Sequence, residues 1–240
     1  MPTPLDETMI RLAKALADTT TLSDTVHEVV AFAVESTGTT FGGITVIRSG
    51  GRRFTTLGAT DPRVEKADHL QYELREGPCV DAAVKLQSLY SGSLRDDDRW
   101  PRWGPAAADM GFHSIVSAEL HAGGQRIGAL NLYGEQPRQF ATEELDLAKL
   151  FAAQGAGAIK RQQNEDSLLE ALDTRTMIGQ AQGILMERFG LDADQAFSVL
   201  RRYSQDSNRR LRDIVAELVT TRDLPRLPRE MVEVERALHD

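Results

Sequence analysis

A helical pattern that contains no proline runs from Thr142 to about Phe189 and separates two differently patterned parts of the chain. Because proline removes a backbone donor and breaks helices, its absence permits one long helix here. The 240 residues also exceed the commonest size of a single domain. We therefore predict two domains, at residues 1–163 and 164–224, followed by a tail at residues 225–240.

The first part of the chain mixes helical and strand-like patterns. Residues 5–37 have helical spacing that ends at Gly38, and two β-rich runs within residues 40–59 flank Ser49-Gly50-Gly51. A second and clearer pair of runs flanks Gly123-Gly124. Glycine accepts the positive φ of a tight hairpin turn, so both pairs are typical of antiparallel strands. The pattern predicts an α+β domain in which helices flank an antiparallel sheet.

The last part of the chain has the pattern of a three-helix module. Gly190 is suited to the left-handed residue after a helix, and Asp192 with Gln195 makes a capping-box-like start for the next one. Ser207 or Asn208 is placed to cap the third helix. The apolar residues of that helix recur on one face, namely Leu211, Ile214, Val215, Leu218 and Val219.

One set of positions in the long helix alternates steps of three and four residues. These positions are Leu145, Ala148, Ala152, Gly155, Ile159, Gln162, Asp166 and Leu169. Because such spacing is typical of a coiled coil, we predict a partly coiled-coil helix that runs from one domain to the next. A break or frayed joint between about Gln162 and Asp166 is the alternative.

Charge is distributed unevenly along the chain. The formal net charge of −8 argues against nucleic acid as a partner, because phosphate binding relies on Lys and Arg. Residues 173–223, however, are neutral, with eight basic and eight acidic side chains. Within residues 201–212, five arginines stand against Asp206 alone, which gives a local charge of +4. This cluster predicts a surface for nucleic acid, and a solvated charged face is the alternative.

One run of residues in the last part carries a family resemblance. Gln180-Ala181-Gln182-Gly183-Ile184-Leu185-Met186 is followed by Gly190, Ala196-Phe197, Leu200-Arg201 and Asn208. In this order and spacing, residues 177–219 resemble the ANTAR domain over nearly its whole length. The resemblance implies a non-enzymatic module that acts as a dimer, binds paired stem-loops in a leader transcript and stabilises an antiterminator hairpin. The family usually has a lysine where this chain has Gln182, so one expected cation is missing.

The resemblance and the arginine cluster together indicate a set of RNA-binding residues. Arginine binds phosphate through two parallel hydrogen bonds or stacks on unpaired bases, and small residues on a helix permit close approach of another backbone. Helix packing is the alternative for the small residues, and a position at the edge of the core is the alternative for Tyr203. The candidates are Arg175, Gln180, Ala181, Gln182, Gly183, Arg201, Arg202, Tyr203, Gln205, Asn208, Arg209 and Arg210.

Three segments of the first part carry a second resemblance: residues 76–82 (EGPCVDA), Trp100-Pro101 and residues 128–133 (GALNLY). With the predicted helices and hairpins, they resemble the GAF domains that are fused to ANTAR modules in actinobacterial regulators. GAF domains commonly hold a small molecule between sheet and helices, so the resemblance implies a ligand pocket. We expect this pocket to involve Cys79, Trp100, Phe112 and Ser114. The ligand is not identified by the sequence, and no cofactor is predicted.

Cys79 is the only cysteine, which rules out a disulfide within the chain. An exposed thiolate would permit reversible oxidation, but no basic neighbour in sequence favours the thiolate, so we interpret Cys79 as a buried small residue. The five histidines lack the spacing of metal ligands, and no metal site is predicted. No apolar tract is long enough to span a membrane and the start is not typical of a signal peptide, so we expect a cytoplasmic protein.

The favoured hypothesis is a signal-responsive antitermination regulator that binds RNA and is not an enzyme. One alternative is a redox or small-molecule sensor whose helical output binds DNA or only dimerises. Another is an enzyme that uses Cys79 in the GAF cavity, although the sequence supplies no evident base, nucleophile pair or metal set for it.

Overall fold

The structure is a computed structural model that describes residues 4–48, 53–85 and 87–223. The chain divides into two compact units, Met1–Asn164 and Glu165–Asp240. Two predicted features, the turn Ser49-Gly50-Gly51 and the tail at residues 225–240, lie outside the described residues.

The first unit is built from helices and strands in mixed order, and the second from helices. The elements that precede the long helix are α1 (Pro4–Asp18), α2 (Leu22–Thr37), β1 (Phe41–Arg48), β2 (Arg53–Leu57), α3 (Pro62–Leu74), α4 (Pro78–Lys85), β3 (Leu89–Ser91), α5 (Trp103–Asp109), β4 (Ser114–Ala122) and β5 (Gln125–Gly134). The long helix and the elements after it are α6 (Thr142–Phe189), α7 (Ala193–Asp206) and α8 (Leu211–Thr221). The helix α6 is continuous through residues 162–166, so the alternative of a frayed joint there is wrong.

The sheet of the first unit has five strands in the order β2-β1-β5-β4-β3, and every neighbouring pair is antiparallel. The β4–β5 hairpin turns at Gly123 and Gly124, whose φ angles of 56° and 74° are those that only glycine adopts easily. The predicted α+β fold, with an antiparallel sheet, a long helix and a C-terminal helical module, is confirmed.

Both faces of the sheet are covered, because successive strand residues point to opposite sides. Leu130 and Leu132 of β5 belong to a core that also contains residues of α1, α2 and α6. Tyr133 belongs to a second core with residues of α3 and α5, and Ala129 to a third with residues of α4. The helices α3, α4 and α5 therefore lie over the opposite face from α1, α2 and α6.

The first part of α6 packs into the core of its own unit. Leu145, Ala148, Ala152 and Ile159 belong to the core beneath α1 and α2, and Gln162 is 6% exposed. The coiled-coil prediction is therefore wrong for residues 145–162. Their spacing of three and four residues provides the apolar face of an ordinary packed helix.

The second unit has a small core between α7, α8 and the last part of α6. Its buried residues are Ala181, Leu185, Ala196, Leu200, Tyr203, Ile214, Val215 and Leu218. The predicted capping box is present, since the Gln195 backbone N–H donates to Asp192 Oδ1 (2.8 Å) and the Asp192 backbone N–H donates to Gln195 Oε1 (3.0 Å). Gly190 has the predicted left-handed conformation, with φ of 67°.

The predicted cap of the third helix is wrong. The N-cap of α8 is Arg210, whose side chain makes no capping hydrogen bond. Asn208 instead adopts φ of 51° in the connection between α7 and α8. Asparagine tolerates this left-handed conformation better than most residues, which accounts for Asn208 at this position of the turn.

Two glycines of α6 provide a matched test of this packing. A Cβ at Gly155 would lie 2.8 Å from both γ-carbons of Val29, whereas a Cβ at Gly157 would have no neighbour within 4 Å. We expect Gly155→Ala to lower the free energy of unfolding by about 1–3 kcal/mol through overpacking. Gly157→Ala should raise it by up to about 1 kcal/mol, because alanine is the better helix former. Urea unfolding of both variants measures this, and equal effects would contradict the packing of α6 against α2.

Candidate functional site

The connection between α7 and α8 fixes where the arginine cluster lies. The chain reverses at Asn208, and the Ser204 hydroxyl donates to the Arg209 carbonyl oxygen (2.6 Å). The Arg209 amide donates to the Ser204 carbonyl oxygen at 3.1 Å. These bonds hold a defined turn, from which Arg209 and Arg210 are exposed.

The four predicted cationic side chains of this region are all exposed: Arg201, Arg202, Arg209 and Arg210. Arg202 pairs with Asp206 (3.5 Å) and Arg209 with Glu217 (2.6 Å). Within the described part of the chain, Arg201 and Arg210 make no ion pair. Exposed ion pairs contribute little to stability in water, so a phosphate group can replace the carboxylate of Asp206 or Glu217 as the partner of its arginine. We call these four side chains the arginine cluster.

Two predicted RNA-binding residues lie in the core instead. Ala181 is fully buried and Tyr203 is 5% exposed, and both pack among the apolar residues of the second unit. Their side chains have almost no surface to offer to RNA, so the prediction is corrected for both. Arg175 and Gln205 are exposed and remain candidates.

The residues around Gly183 present a different surface of α6. Gln180 and Gly183 are exposed, whereas Gln182 is half-buried and its Nε2 donates to the Ala193 carbonyl oxygen (2.8 Å). A Cβ at Gly183 would meet nothing within 4 Å, so packing within the chain does not require glycine. Glycine inside a helix is about 1 kcal/mol less favourable than alanine. Its presence at Gly183 therefore fits a surface that another molecule approaches closely.

Gln180 and Gly183 line an open cleft of about 600 Å³ together with residues that sequence reasoning did not select. The added lining residues are Ile184, Glu187, Val219 and Arg222. Glu187 follows Gly183 by one helical turn, so helical periodicity was a signal for it. Arg222 lies at the end of α8 with φ of 64°, and nothing in the local sequence connects it to Gly183.

The four predicted pocket residues of the first unit are all buried but do not form one group. Trp100 and Phe112 belong to the core beneath α3 and α5, whereas Cys79 belongs to the core beneath α4. The Ser114 hydroxyl donates to the Gln136 carbonyl oxygen (2.8 Å). The structure therefore divides these residues among separate packing environments.

The segments that carry the GAF resemblance have structural roles here. Glu76 Oε1 accepts the backbone amides of Arg102 (2.7 Å) and Trp103 (2.9 Å), at the start of α5. Trp100 Nε1 donates to Asp81 Oδ2 at 3.0 Å. These bonds join the two segments to each other and fix the start of α5 to the loop before α4.

Cys79 is fully buried. Burial raises the pKa of its thiol, and the nearby Asp68 carboxylate raises it further. The Thr45 hydroxyl donates to Cys79 Sγ at 3.6 Å. A neutral thiol without access to solvent is a poor nucleophile, so this environment does not favour redox chemistry at Cys79.

Sequence reasoning missed a buried polar cluster centred on Asp68. The Asp68 carboxylate accepts hydrogen bonds from Thr56 Oγ1 (3.0 Å), Gln71 Nε2 (3.3 Å), Asn131 Nδ2 (3.3 Å) and the Tyr133 hydroxyl. Desolvation raises the pKa of Asp68 from 3.8 to about 6, even though these donors oppose the shift. We call these five side chains the Asp68 cluster.

In the described ranges, no group of three or more His, Cys, Asp or Glu side chains is placed to hold a metal ion. None of the described helices has the length and apolar character needed to cross a membrane.

Family models match both units. The model of the GAF domain matches residues 19–160, and the model of the ANTAR domain matches residues 166–219. A comparison with curated proteins gives no match.

Solved structures resemble the first unit in fold. The GAF domain of an Acinetobacter phosphoenolpyruvate-protein phosphotransferase is 12% identical with a TM-score of 0.55, covering 70% of this chain and 99% of that one. The corresponding domain from Coxiella burnetii is 11% identical with a TM-score of 0.54, covering 67% and 95%. Free methionine-R-sulfoxide reductase from Neisseria meningitidis is 15% identical with a TM-score of 0.53, covering 66% and 90%. At these identities, the likeness shows the fold alone.

The fold and the family models define a sensor-type domain followed by a helical RNA-binding domain. The chain belongs to the GAF domain family and carries an ANTAR antitermination domain after its GAF domain.

The burial of Cys79 leads to a direct test of its reactivity. We expect the thiol to react with a colorimetric disulfide reagent at least about 100-fold more slowly in the native protein than in urea, because it is buried and protonated. The urea-unfolded protein is the internal control, since it contains the same single thiol. Equal rates in the two states would show that Cys79 is accessible.

Proposed function

We propose that this protein is a signal-responsive antitermination regulator, whose second unit binds paired stem-loops in nascent leader RNA and whose first unit controls that binding. The protein acts on transcripts during their synthesis, and we place it in the cytoplasm. The architecture of a GAF domain followed by an ANTAR domain supports this role. The exposed arginine cluster is the observation that carries the RNA-binding part of the proposal.

The start of α8 adds to the suitability of this surface for phosphate. The α8 N-cap side chain makes no hydrogen bond to the first-turn amides, and Arg209 and Arg210 immediately precede the helix. Free amides and the helix dipole favour an anion at a helix start, and arginine forms two parallel hydrogen bonds with phosphate. Arg209, Arg210 and the first-turn amides therefore lie together at the start of α8.

The candidate RNA-binding residues form two sets on the second unit, one at each end of α8. The arginine cluster, with Gln205, supplies cations and a side-chain amide around the turn between α7 and α8. Gln180 and Gly183, with Glu187 and Arg222, supply an open cleft between α6 and α8. Loop bases splay out of single-stranded RNA and are read in such clefts, while the stem phosphates are bound by cations.

Binding of paired stem-loops requires two copies of the chain. The helix α6 has an exposed apolar face through which two copies can associate. Leu168, Leu169 and Leu172 are 62%, 61% and 51% exposed. Leu168 and Leu172 are one turn apart, and Gly179 follows Leu172 by seven residues with open space at its Cβ position. Such a face buries little surface within one chain and is typical of a coiled-coil seam. We therefore assign the dimer interface to this part of α6.

The arginine cluster can be tested by its effect on RNA binding. We expect Arg201→Ala/Arg202→Ala to weaken binding to a leader RNA with two small stem-loops by at least about tenfold. The slope of log affinity against log salt should also fall by up to about two, since two phosphate contacts are lost. Gel shifts at several salt concentrations measure both quantities.

The matched control removes the same charge from the first unit. Lys149→Ala/Lys160→Ala should leave the affinity within about twofold of the unmodified chain, because a charge outside the interface is screened. If both double variants bind RNA equally well, the arginine cluster is not the RNA surface. Competition by duplex DNA of the same sequence would indicate a DNA-binding output instead.

The dimer interface makes a separate prediction. We expect Leu168→Glu/Leu172→Glu to convert the chain to a monomer, since buried glutamates would repel each other across the seam. Val84→Glu, at a side chain that is 45% exposed in the first unit, is the control and should leave the dimer intact. Sedimentation velocity measures the mass, and a dimer that survives both leucine substitutions would place the interface elsewhere.

A further inference from the structure

Asp68 is a carboxyl group that is fully buried among uncharged partners. It belongs to α3, and its donors lie on α3 itself, on β2 and on β5. Every buried side-chain polar atom in the described residues has a hydrogen-bond partner. The cluster is therefore a completed arrangement, and it raises the question of why an ionisable group stands at its centre.

Among the described residues, the side chains that face Asp68 carry no compensating positive charge. The α3 helix contributes Gln71 and Tyr72, α4 contributes Cys79, and the strands contribute Thr45 of β1, Thr56 of β2, and Asn131 and Tyr133 of β5. The titratable members are neutral, because burial raises the pKa of Tyr72, Tyr133 and Cys79. His69 is exposed on α3, and Asp81 of α4 is paired with Lys85 at 2.9 Å. A buried anion without a cation favours uptake of a proton.

A chain of hydroxyl groups leads from Asp68 to Cys79. Thr56 Oγ1 lies 2.7 Å from the Tyr72 hydroxyl, which lies 2.9 Å from Thr45 Oγ1. Thr45 Oγ1 in turn lies 3.6 Å from Cys79 Sγ. Each hydroxyl is both a donor and an acceptor, so the direction of donation along this chain can reverse.

The chain allows the cluster to satisfy both protonation states. When Asp68 is ionised, Thr56 donates to Asp68 Oδ2. When Asp68 is protonated at Oδ2, its new O–H can donate to Thr56 Oγ1, because Gln71 and Asn131 present only N–H groups and the Tyr133 hydroxyl already donates to Oδ1. Thr56 then donates to Tyr72 and Tyr72 to Thr45, while Thr45 keeps its hydrogen bond to Cys79 Sγ. No polar atom is left without a partner in either state.

We propose that Asp68 is a proton-binding site through which the GAF unit responds to acidification. One proton is taken up from solvent per chain, and its acceptance reverses the direction of donation at the Thr56 and Tyr72 hydroxyl groups. Gln71 extends the response to the first turn of α4, because Gln71 Nε2 donates to Asp68 Oδ1 and Gln71 Oε1 accepts the Cys79 backbone amide at 2.9 Å. The site is independent of RNA binding, but its role as a signal rests on the proposed function.

The test compares Asp68→Asn with the unmodified full chain by urea unfolding at pH 5 and pH 7. The asparagine amide can donate to Thr56 as the protonated carboxyl group would, so this variant mimics the acid state. The folded pKa of about 6 exceeds the ordinary 3.8, so the unfolded chain releases its proton first and stability is lost as pH rises through this window. Relative to Asp68→Asn, the unfolding equilibrium constant of the unmodified chain should rise about tenfold between pH 5 and pH 7.

Glu65→Gln is the matched control, because Glu65 is an exposed carboxylate on the same helix. It should keep the pH dependence of the unmodified chain. The proposal would be overturned if the ratio of the two unfolding equilibrium constants, unmodified chain to Asp68→Asn, were the same at pH 5 and pH 7. If Asp68→Asn does not fold, infrared spectra of the unmodified chain with ¹³C-labelled aspartate decide. A buried protonated carboxyl band should be present at pH 5 and lost by pH 7, and its absence at pH 5 would overturn the proposal.

The signalling role has its own measurement. The affinity of the full chain for RNA that co-purifies with it should differ at least about threefold between pH 5.5 and pH 7.5. The affinity of Asp68→Asn should be constant over this range, whereas Glu65→Gln should keep the pH dependence of the unmodified chain. Equal pH dependence in all three proteins would overturn the signalling role and leave the proton site standing. Absence of RNA binding at either pH would contradict the proposed function, while the unfolding data would still decide on the proton site.

Discussion

A carboxyl group buried without a cation is the constraint on which the first unit depends. Such a group persists only where several donors replace the water that it has lost, and these donors come from elements far apart in sequence. Asn131 and Tyr133 of β5 therefore occupy buried positions on the sheet face that α3, α4 and α5 cover, where apolar residues would otherwise pack. The position of Gln71 in turn requires glycine at residue 77, where φ is 138° and a Cβ would lie 2.2 Å from Gln71 Oε1. One buried carboxyl group thus restricts residue types on strands, a helix and a loop.

The sequence predicts the structure of the second unit more completely than that of the first. The second unit depends on residues close together in sequence, whereas the centre of the first depends on residues far apart. The second unit is specified by local features: the capping box of Asp192 and Gln195 spans three residues, and Gly190 ends a helix by its own conformation. The centre of the first unit is held by the hydrogen bond from Tyr133 to Asp68, which are 65 residues apart. Nothing near either residue indicates the other. Strand and hairpin patterns were sufficient for the sheet, but they could not predict the polar cluster that lies on it.

The helix α6 shows that one pattern can have two physical meanings. Steps of three and four residues place side chains on one face, whether that face meets its own domain or a second chain. Leu145 and Ile159 follow this spacing and are buried under α1 and α2. Leu168 and Leu172 belong to the second unit and are exposed. The difference comes from which elements cover the helix. Periodicity along α6 carries no record of those elements, so the buried stretch was misinterpreted.

The candidate RNA surface was mixed with core residues for a related reason, since a family motif contains residues that build a domain as well as residues that bind. On α7, Leu200 and Tyr203 are three residues apart and face inward, which leaves Arg201 and Arg202 outside. The net charge of −8 does not cancel this cluster. Charges farther away than about 8 Å are largely screened at physiological salt, so the local charge of the exposed face governs its interaction with phosphate. An acidic chain can therefore present a basic surface, provided that its arginines are grouped on one small unit.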